Sequence, residues 1–326
     1  MLIDEFSSFE NKYLFEKKYD DFSYWVYSRY AIFSYLTKLQ EGIEMSSQKM
    51  TDGLICGIKN MIINSLRYRH KIKKIGHRDL LILNHERRVL KDGYYRCIYT
   101  EQIEEHYPNS VVLERPYFYK HLKPIQTERI FYSDCVELES LIYGFLECKL
   151  KAKKYRKAKK FFEKEMSIVA PEFQHMVKQE VSVEALSEML TRLYLLYCVK
   201  RKKFEKVIQK IQPKVILEVV SYNLDCMIFN EIAYEKKINT IELQHGVMSG
   251  SIAYYYPKNV LIKQFPQKVF LFSDYWKNCI SVPLEDKNVI SVGYPYFEEQ
   301  VKKYQKINRD KNKTTKVILF LSQWTI

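Results

Sequence analysis

Several features that would place a chain quickly are missing here. No apolar run approaches the roughly 20 residues that a membrane helix needs. The N-terminal stretch "MLIDEFSSFENKYLFEKKYDD" carries charge throughout, so it lacks the basic start and apolar core of a secretory leader. The seven cysteines are an odd, scattered set with no C-x-x-C pair, which argues against a disulfide framework and against a zinc site. They read as small buried hydrophobes. There is no D-x-D, no cluster of metal ligands, and no helix-turn-helix, zinc-finger, RRM or KH pattern. The expectation is a cytoplasmic protein with no resident metal or cofactor and no nucleic-acid partner.

What is present is ordinary globular material in quantity. The chain has 326 residues, more than one compact domain usually holds. Hydrophobic residues are 47% and charged residues 28%, enough for a sizeable core. Aromatics reach 15%, with 27 tyrosines spread along the chain, and they read as core and core-edge residues. The formal charge of +14 fixes the sign of a partner: nucleic acid, anionic lipid or a phosphorylated substrate.

Residues 1–75 read as a helical segment. In "DDFSYWVYSRYAIFSYLTKL", Phe22, Trp25, Val26, Ile32, Phe33 and Leu36 recur at spacings of three and four, which puts them on one face. Arg29 falls on the same stripe, with its stem expected over the core and its head at the edge. Leu80 to Leu83 is the first strand, apolar throughout as in a sheet covered on both faces. "YTEQIEEHY" then reads as helix and "SVVLERP" as strand. Residues 130–212 read as a helical insertion in which Phe145, Cys148, Tyr155 and Phe162 share a face, Pro171 interrupts, and a long helix follows from a poorly capped start.

From Pro213 the pattern changes. "KVILEVVSY", "NTIELQHG", "QKVFLFS" and "KNVISVG" alternate with helical text, and Asn223 is placed to cap the first of those helices. Strands and helices alternating at this spacing predict an α/β fold with a Rossmann-like parallel sheet over residues 76–305. A linker at 306–316 and one further strand at 317–326 complete the expected organisation. That last strand has no following partners in the sequence, so it reads as the opening of a further domain.

In open parallel sheets, ligands bind beyond the carboxyl ends of the strands. Three stretches lie there: Asn84-His85-Glu86-Arg87-Arg88, Gln244-His245-Gly246 and Gly293-Tyr294-Pro295. An imidazole at His245 can accept a proton from an attacking hydroxyl or help neutralise a phosphate. Gly246 would let the backbone turn or approach a ligand closely. Glu242, two residues before Gln244, faces the same side of its strand. Arg87 and Arg88 can clamp an anion. The alternative is a histidine bonded inside its loop, arginines solvated after a strand, and glycine and proline serving ordinary loop chemistry.

The ordered set "IELQHGVMS…AYYYP", "FPQKVFLFSDYWKN…VISVGYPYFEE" and "VILFLSQ" resembles bacterial surface-polysaccharide glycosyltransferases of the GT-B architecture. The likeness covers residues 210–323 best; "W-x-x-x-R" near Trp25 and the "LLILNHERR" strand extend it weakly over the rest. It implies an acceptor-side domain ending near Gln305 and a donor domain, for the nucleotide sugar, beginning at 317–326. His245 and Glu242 would act in catalysis. Gln244, Gly246, His85, Arg87, Arg88, Tyr294, Ser322 and Gln323 would contact substrates. The implied substrates are a nucleotide sugar and a glycan or lipid-linked glycan acceptor, with no metal required. Most of the donor domain is not in the sequence, which predicts a chain inactive alone or completed by a separate chain.

The run "KLKAKKYRKAKKFFEK" supplies a basic helix, with Lys153, Lys154, Arg156, Lys157 and Lys160 as contacts for an anionic membrane surface and Phe161-Phe162 beside them. The plainer reading is a lysine-rich solvated face. Two rival functions stay open: a non-catalytic scaffold or regulator of a polysaccharide assembly system, and a basic nucleic-acid binder.

Overall fold

The computed structural model describes residues 1–43, 51–85, 88–116, 120–257 and 260–307. Arg87, Ser322, Gln323 and the whole of the expected strand 317–326 lie outside them, as does most of the expected linker. The chain divides into two compact units, Met1–Gly293 and Tyr294–Ile326. Within the second, the helix Pro295–Ile307 is described.

The first unit is built on a seven-stranded sheet, parallel throughout. Its strands are β1 (Leu80–Leu83), β4 (Ser110–Glu114), β5 (Ile130–Tyr132), β6 (Val215–Val219), β7 (Asn239–Leu243), β8 (Lys268–Leu271) and β9 (Val289–Ser291). Their order is β5-β4-β1-β6-β7-β8-β9. The chain starts in the middle, runs outward to β5, returns to the far side of β1 and runs outward again. That is a Rossmann-like doubly wound order, and its reversal lies between β1 and β6. A separate antiparallel hairpin, β2 (Val89–Lys91) with β3 (Tyr94–Arg96), turns on Asp92-Gly93, both at positive φ (52° and 80°) as a tight hairpin turn requires. The sequence reading had no hairpin there.

The two faces of the sheet are covered unequally. Leu81, Leu83, Val111, Phe131, Ile216, Val269 and Leu271 join a large core with the helices α1 (Leu2–Phe9), α2 (Lys12–Glu16), α3 (Tyr24–Gln40), α7 (Lys153–Val177), α8 (Val183–Ile211) and α9 (Leu224–Lys236). The N-terminal helical segment thus shares one core with the sheet. Residues Leu80, Ile82, Val112, Leu217 and Val219 point the other way and pack on Tyr99 and on Ile103 of the short α5 (Glu101–His106). α4 (Thr51–Lys74) and α6 (Asp134–Lys149) pack on each other, and α4 also meets β5.

Four local expectations need correcting. Residues 130–132 form β5, not helix. The long basic text breaks into α6 and α7 at Leu150–Ala152, where Lys151 takes a φ of 43°. The break puts Phe145 in solvent and Phe162 in the core, so the two do not share a face. Pro171 lies inside α7 and does not end it. The one backbone donor lost there is outweighed by Phe162, Met166, Val169, Ala170 and Phe173, all buried along one side. Finally, α8 has a proper cap: Ser182 accepts from the Ala185 N–H.

Arg29 also departs from expectation, since its head is not at an edge. Its side chain is 2% exposed and forms a bidentate pair with Glu10, from Nε to Oε1 at 2.7 Å and from Nη2 to Oε2 at 2.5 Å. Nη1 donates to the Ile252 carbonyl and Nη2 to that of Tyr255, while the guanidinium lies 4.3 Å from the Tyr256 ring centre. Trp25 Nε1 adds a bond to Glu10. Four of its five N–H donors are met by these bonds, and removing one partner strands a buried charge. Arg29→Met is expected to lower stability by about 3–5 kcal/mol, and Glu10→Met with Arg29→Met to recover part of that loss. Urea unfolding of the two variants beside wild type checks both statements.

Candidate functional site

The site is assembled at the carboxyl rim of β1, β6 and β7, across the point where strand order reverses. His85 follows β1, Tyr222 follows β6 and His245 follows β7. The His85 and His245 rings stand 6.1 Å apart at 30°. Tyr99 packs 5.7 Å from His85 and donates its hydroxyl to the His245 carbonyl at 2.7 Å. The Tyr222 hydroxyl lies 3.4 Å from His245 Nε2, and its ring packs against that of Tyr30, tilted by 33° at 4.7 Å. Burial pushes the Tyr222 phenol above its usual range, so it stays protonated and serves as the donor when Nε2 is bare. His245 is half-buried among polar and aromatic groups, not sealed in apolar packing. Beside it, a Cβ placed on Gly246 would meet nothing within 4 Å.

No positive φ demands glycine at 246, and no protein atom crowds the space beside its Cα. Gln244 is reassigned. It is buried, its amide nitrogen donates to the Gly246 carbonyl at 2.8 Å, and its oxygen accepts from the Phe272 N–H at 2.8 Å. It ties the β7 loop to the end of β8, spending one donor and one acceptor of its buried amide there. Arg88 is buried as well. It donates to Glu114 through Nε and Nη2, to the Tyr95 carbonyl and to Glu101. It fastens the hairpin and α5 to β4 and clamps no external anion. Tyr294 opens the second compact unit, where its carbonyl accepts from the Glu298 N–H.

Glu242 is a support, not a catalyst. It is fully buried on the helix-covered face, and its Oε1 accepts the Ser221 N–H at 2.9 Å and the Tyr254 hydroxyl at 2.8 Å. The Ser221 bond fixes the turn in which Val220 takes a φ of 70°, costly for a β-branched residue. The Asn223 side chain holds the same turn through the Val220 carbonyl at 2.8 Å. This turn delivers Tyr222 to His245. The sequence reading missed both Tyr99 and Tyr222, and of the two only Tyr222 carried a readable signal. It stands just past a strand end, so the rule that found the other positions applies to it equally.

Beneath the rim, parallel register sets Glu218 directly beside Glu242. Glu218 is fully buried and takes a bond from Asn230 at 2.8 Å. Burial, reinforced by the neighbouring carboxylate, pushes it up to about 8. Burial also raises Glu242, opposed by its bonds from Ser221 and Tyr254. A second cluster lies under β4 and β5, where His121 bridges Asp134 at 2.7 Å and Glu114 at 3.3 Å. Burial disfavours its cation, but the bonds to the two carboxylates prevail and its pKa is raised above 6.5.

Among the five lysine and arginine positions expected at a membrane, Lys153, Arg156, Lys157 and Lys160 are exposed, while Lys154 turns inward to Cys198 at 3.1 Å. Phe162 is buried and Phe161 packs 4.7 Å from Tyr19, so the pair belongs to the core and gives α7 no apolar side for a lipid surface. Cavities of 640, 710 and 750 Å³ occur elsewhere, the first between Lys12, Arg201, Glu235 and Lys263; none of the three includes His85, Tyr222 or His245. Among the described residues, no group of three or more His, Cys, Asp or Glu side chains is arranged to hold a metal. No described helix is long and apolar enough to cross a membrane.

Both Glu218 and His121 bind their proton more tightly in the folded state than in the unfolded one. Their contributions are complete below the unfolded values, 4.5 and 6.5, and are lost as pH rises through the folded values. Stability should therefore fall between about pH 5 and pH 9. Glu218→Gln keeps an acceptor for Asn230 and removes the ionisation, so it should flatten the fall and gain on the order of 3 kcal/mol over wild type at the alkaline end. Urea midpoints measured across that range give the answer. Comparison with protein-family models, with curated proteins and with solved structures finds no match to this chain.

Proposed function

We propose that this chain is a glycosyltransferase, or the acceptor-side part of one, moving a sugar from a nucleotide sugar to a bacterial surface glycan. One observation carries the reading: the order reversal between β1 and β6 brings His85, Tyr222 and His245 to one carboxyl rim, where parallel sheets bind ligands. The ordered likeness of residues 210–323 to GT-B surface-polysaccharide enzymes supports it. In this reading His245 accepts the proton of the acceptor hydroxyl as its oxygen bonds the anomeric carbon and the nucleoside diphosphate departs. Tyr222 orients the imidazole, Tyr99 holds the His245 backbone through its carbonyl, and His85 supplies a second polar contact. The basic surface favours the charged donor and acceptor.

A non-catalytic scaffold or regulatory subunit is the alternative, favoured by the commitment of Glu242, Gln244 and Arg88 to internal bonds. The imidazole proton signals of His85 and His245, assigned with the His85→Gln and His245→Gln variants, distinguish the readings. Nucleotide sugars or surface-glycan oligosaccharides should shift both signals. Where transfer is measured, His245→Ala should lower turnover by roughly 10²–10⁴-fold with ligand affinity nearly unchanged. Glycan binding without transfer in any donor and acceptor pair identifies the scaffold. No shift with any ligand sinks both readings of the rim.

A further inference from the structure

The water-facing sides of α4 and α6 are apolar where a globular surface is normally charged. Among the described residues, nine large aliphatic or aromatic side chains at least 40% exposed fall on these two helices and the residue that ends α6. Ile62 and Leu66 stand one turn apart on α4; Ile142, Phe145 and Leu146 continue along α6 to Leu150, which is 73% exposed. Helical spacing makes these stripes, not scattered residues. The helices pack together, and Asn64 on α4 bonds Asp134 in the first turn of α6 at 3.1 Å. Contiguous apolar surface rimmed by polar groups marks an interaction site.

Cations form the rim. Lys59 and Arg67 are exposed along the same side of α4, and Lys149 lies 5.5 Å from the centre of the Phe145 ring. Lys151 and Lys153 follow Leu150 at the corner into α7, and Arg156, Lys157 and Lys160 extend the positive surface. Glu139, on the flank of α6, is neutralised by Lys203 of α8.

We infer that the α4–α6 face docks onto an anionic lipid surface, with Phe145, Leu146 and Leu150 entering the acyl boundary and the lysines meeting headgroups. An apolar centre with a cationic rim matches the two attractions that hold an interfacial helix on such a membrane. A second copy is the poorer occupant, because a self-complementary contact would set cationic rims against each other on chains of formal charge +14. The inference stands independently of the sugar-transfer reading and replaces an α7-centred contact: α7 contributes charge, while α4 and α6 contribute the apolar part.

Co-sedimentation of the full chain with phosphatidylcholine vesicles, and with vesicles that also contain phosphatidylglycerol, tests it. Wild type should pellet with the anionic vesicles and not with the neutral ones. Phe145→Ser with Leu146→Ser, and separately Lys149→Glu with Lys153→Glu, should each lower the bound fraction roughly tenfold. Leu261→Ser, an exposed position outside the patch, should bind as wild type. Unchanged thermal melting shows that the variants fold. Failure of wild type to pellet with anionic vesicles overturns the inference, as does full binding by the apolar double variant. A dimer dissolved by Phe145→Ser, with no vesicle binding, assigns the face to a second copy instead.

Discussion

The buried pair between Arg29 and Glu10 is the constraint on which the rest of the first unit depends. A guanidinium cannot shed its charge inside a protein, so every element near it must bring an acceptor or an aromatic face. Glu10 comes from the junction after α1, Ile252 and Tyr255 give carbonyls from the connection between β7 and β8, and Tyr256 gives its ring. The two carbonyls bracket Tyr254, whose hydroxyl bonds Glu242; Glu242 holds the Ser221 N–H; and the next residue, Tyr222, touches His245. A line of named bonds therefore runs from the helical core to the rim.

That line explains why so many polar groups are buried on the helix-covered face. Glu218 and Glu242 lie side by side through strand register, and desolvation together with mutual repulsion disfavours ionising both. Such a pair is poor material for stability. Its position, one residue short of the strand ends and directly under the loop that carries Tyr222, accounts for its use. Glu242 acts by holding the Ser221 N–H and the Tyr254 hydroxyl, and Glu218 by accepting from the Asn230 side chain.

Much of the fold was legible in the sequence because a parallel sheet writes its strands as short apolar runs between helical stretches. "LLIL", "SVVLE", "KVILEVV", "NTIEL", "KVFL" and "NVIS" each mark a strand of the sheet. The Asn223 cap was readable for the same reason, since it accepts from Cys226 N–H within one turn. The three-residue β9 was readable from the apolar run around it, whereas "IFY" of β5 runs straight into helical text and "VLK" and "YYR" of the hairpin carry no apolar run, so these escaped. Pro171 and the α6–α7 corner escaped because packing against the core, not local propensity, decides whether a helix continues.

At the rim, the sequence by itself determined position: His85 and His245 follow strands, and residues past strand ends gather at one edge of a parallel sheet. Roles were decided only by tertiary structure. Arg88, Gln244 and Glu242 look like ligand contacts in the sequence, yet each meets its partners across 26, 28 and 21 residues respectively, at Glu114, Phe272 and Ser221. A hydrogen bond between distant segments leaves no trace in local pattern. The same limit hid the apolar face of α4 and α6: a run of leucine, isoleucine and phenylalanine reads as core until packing shows which side the core occupies.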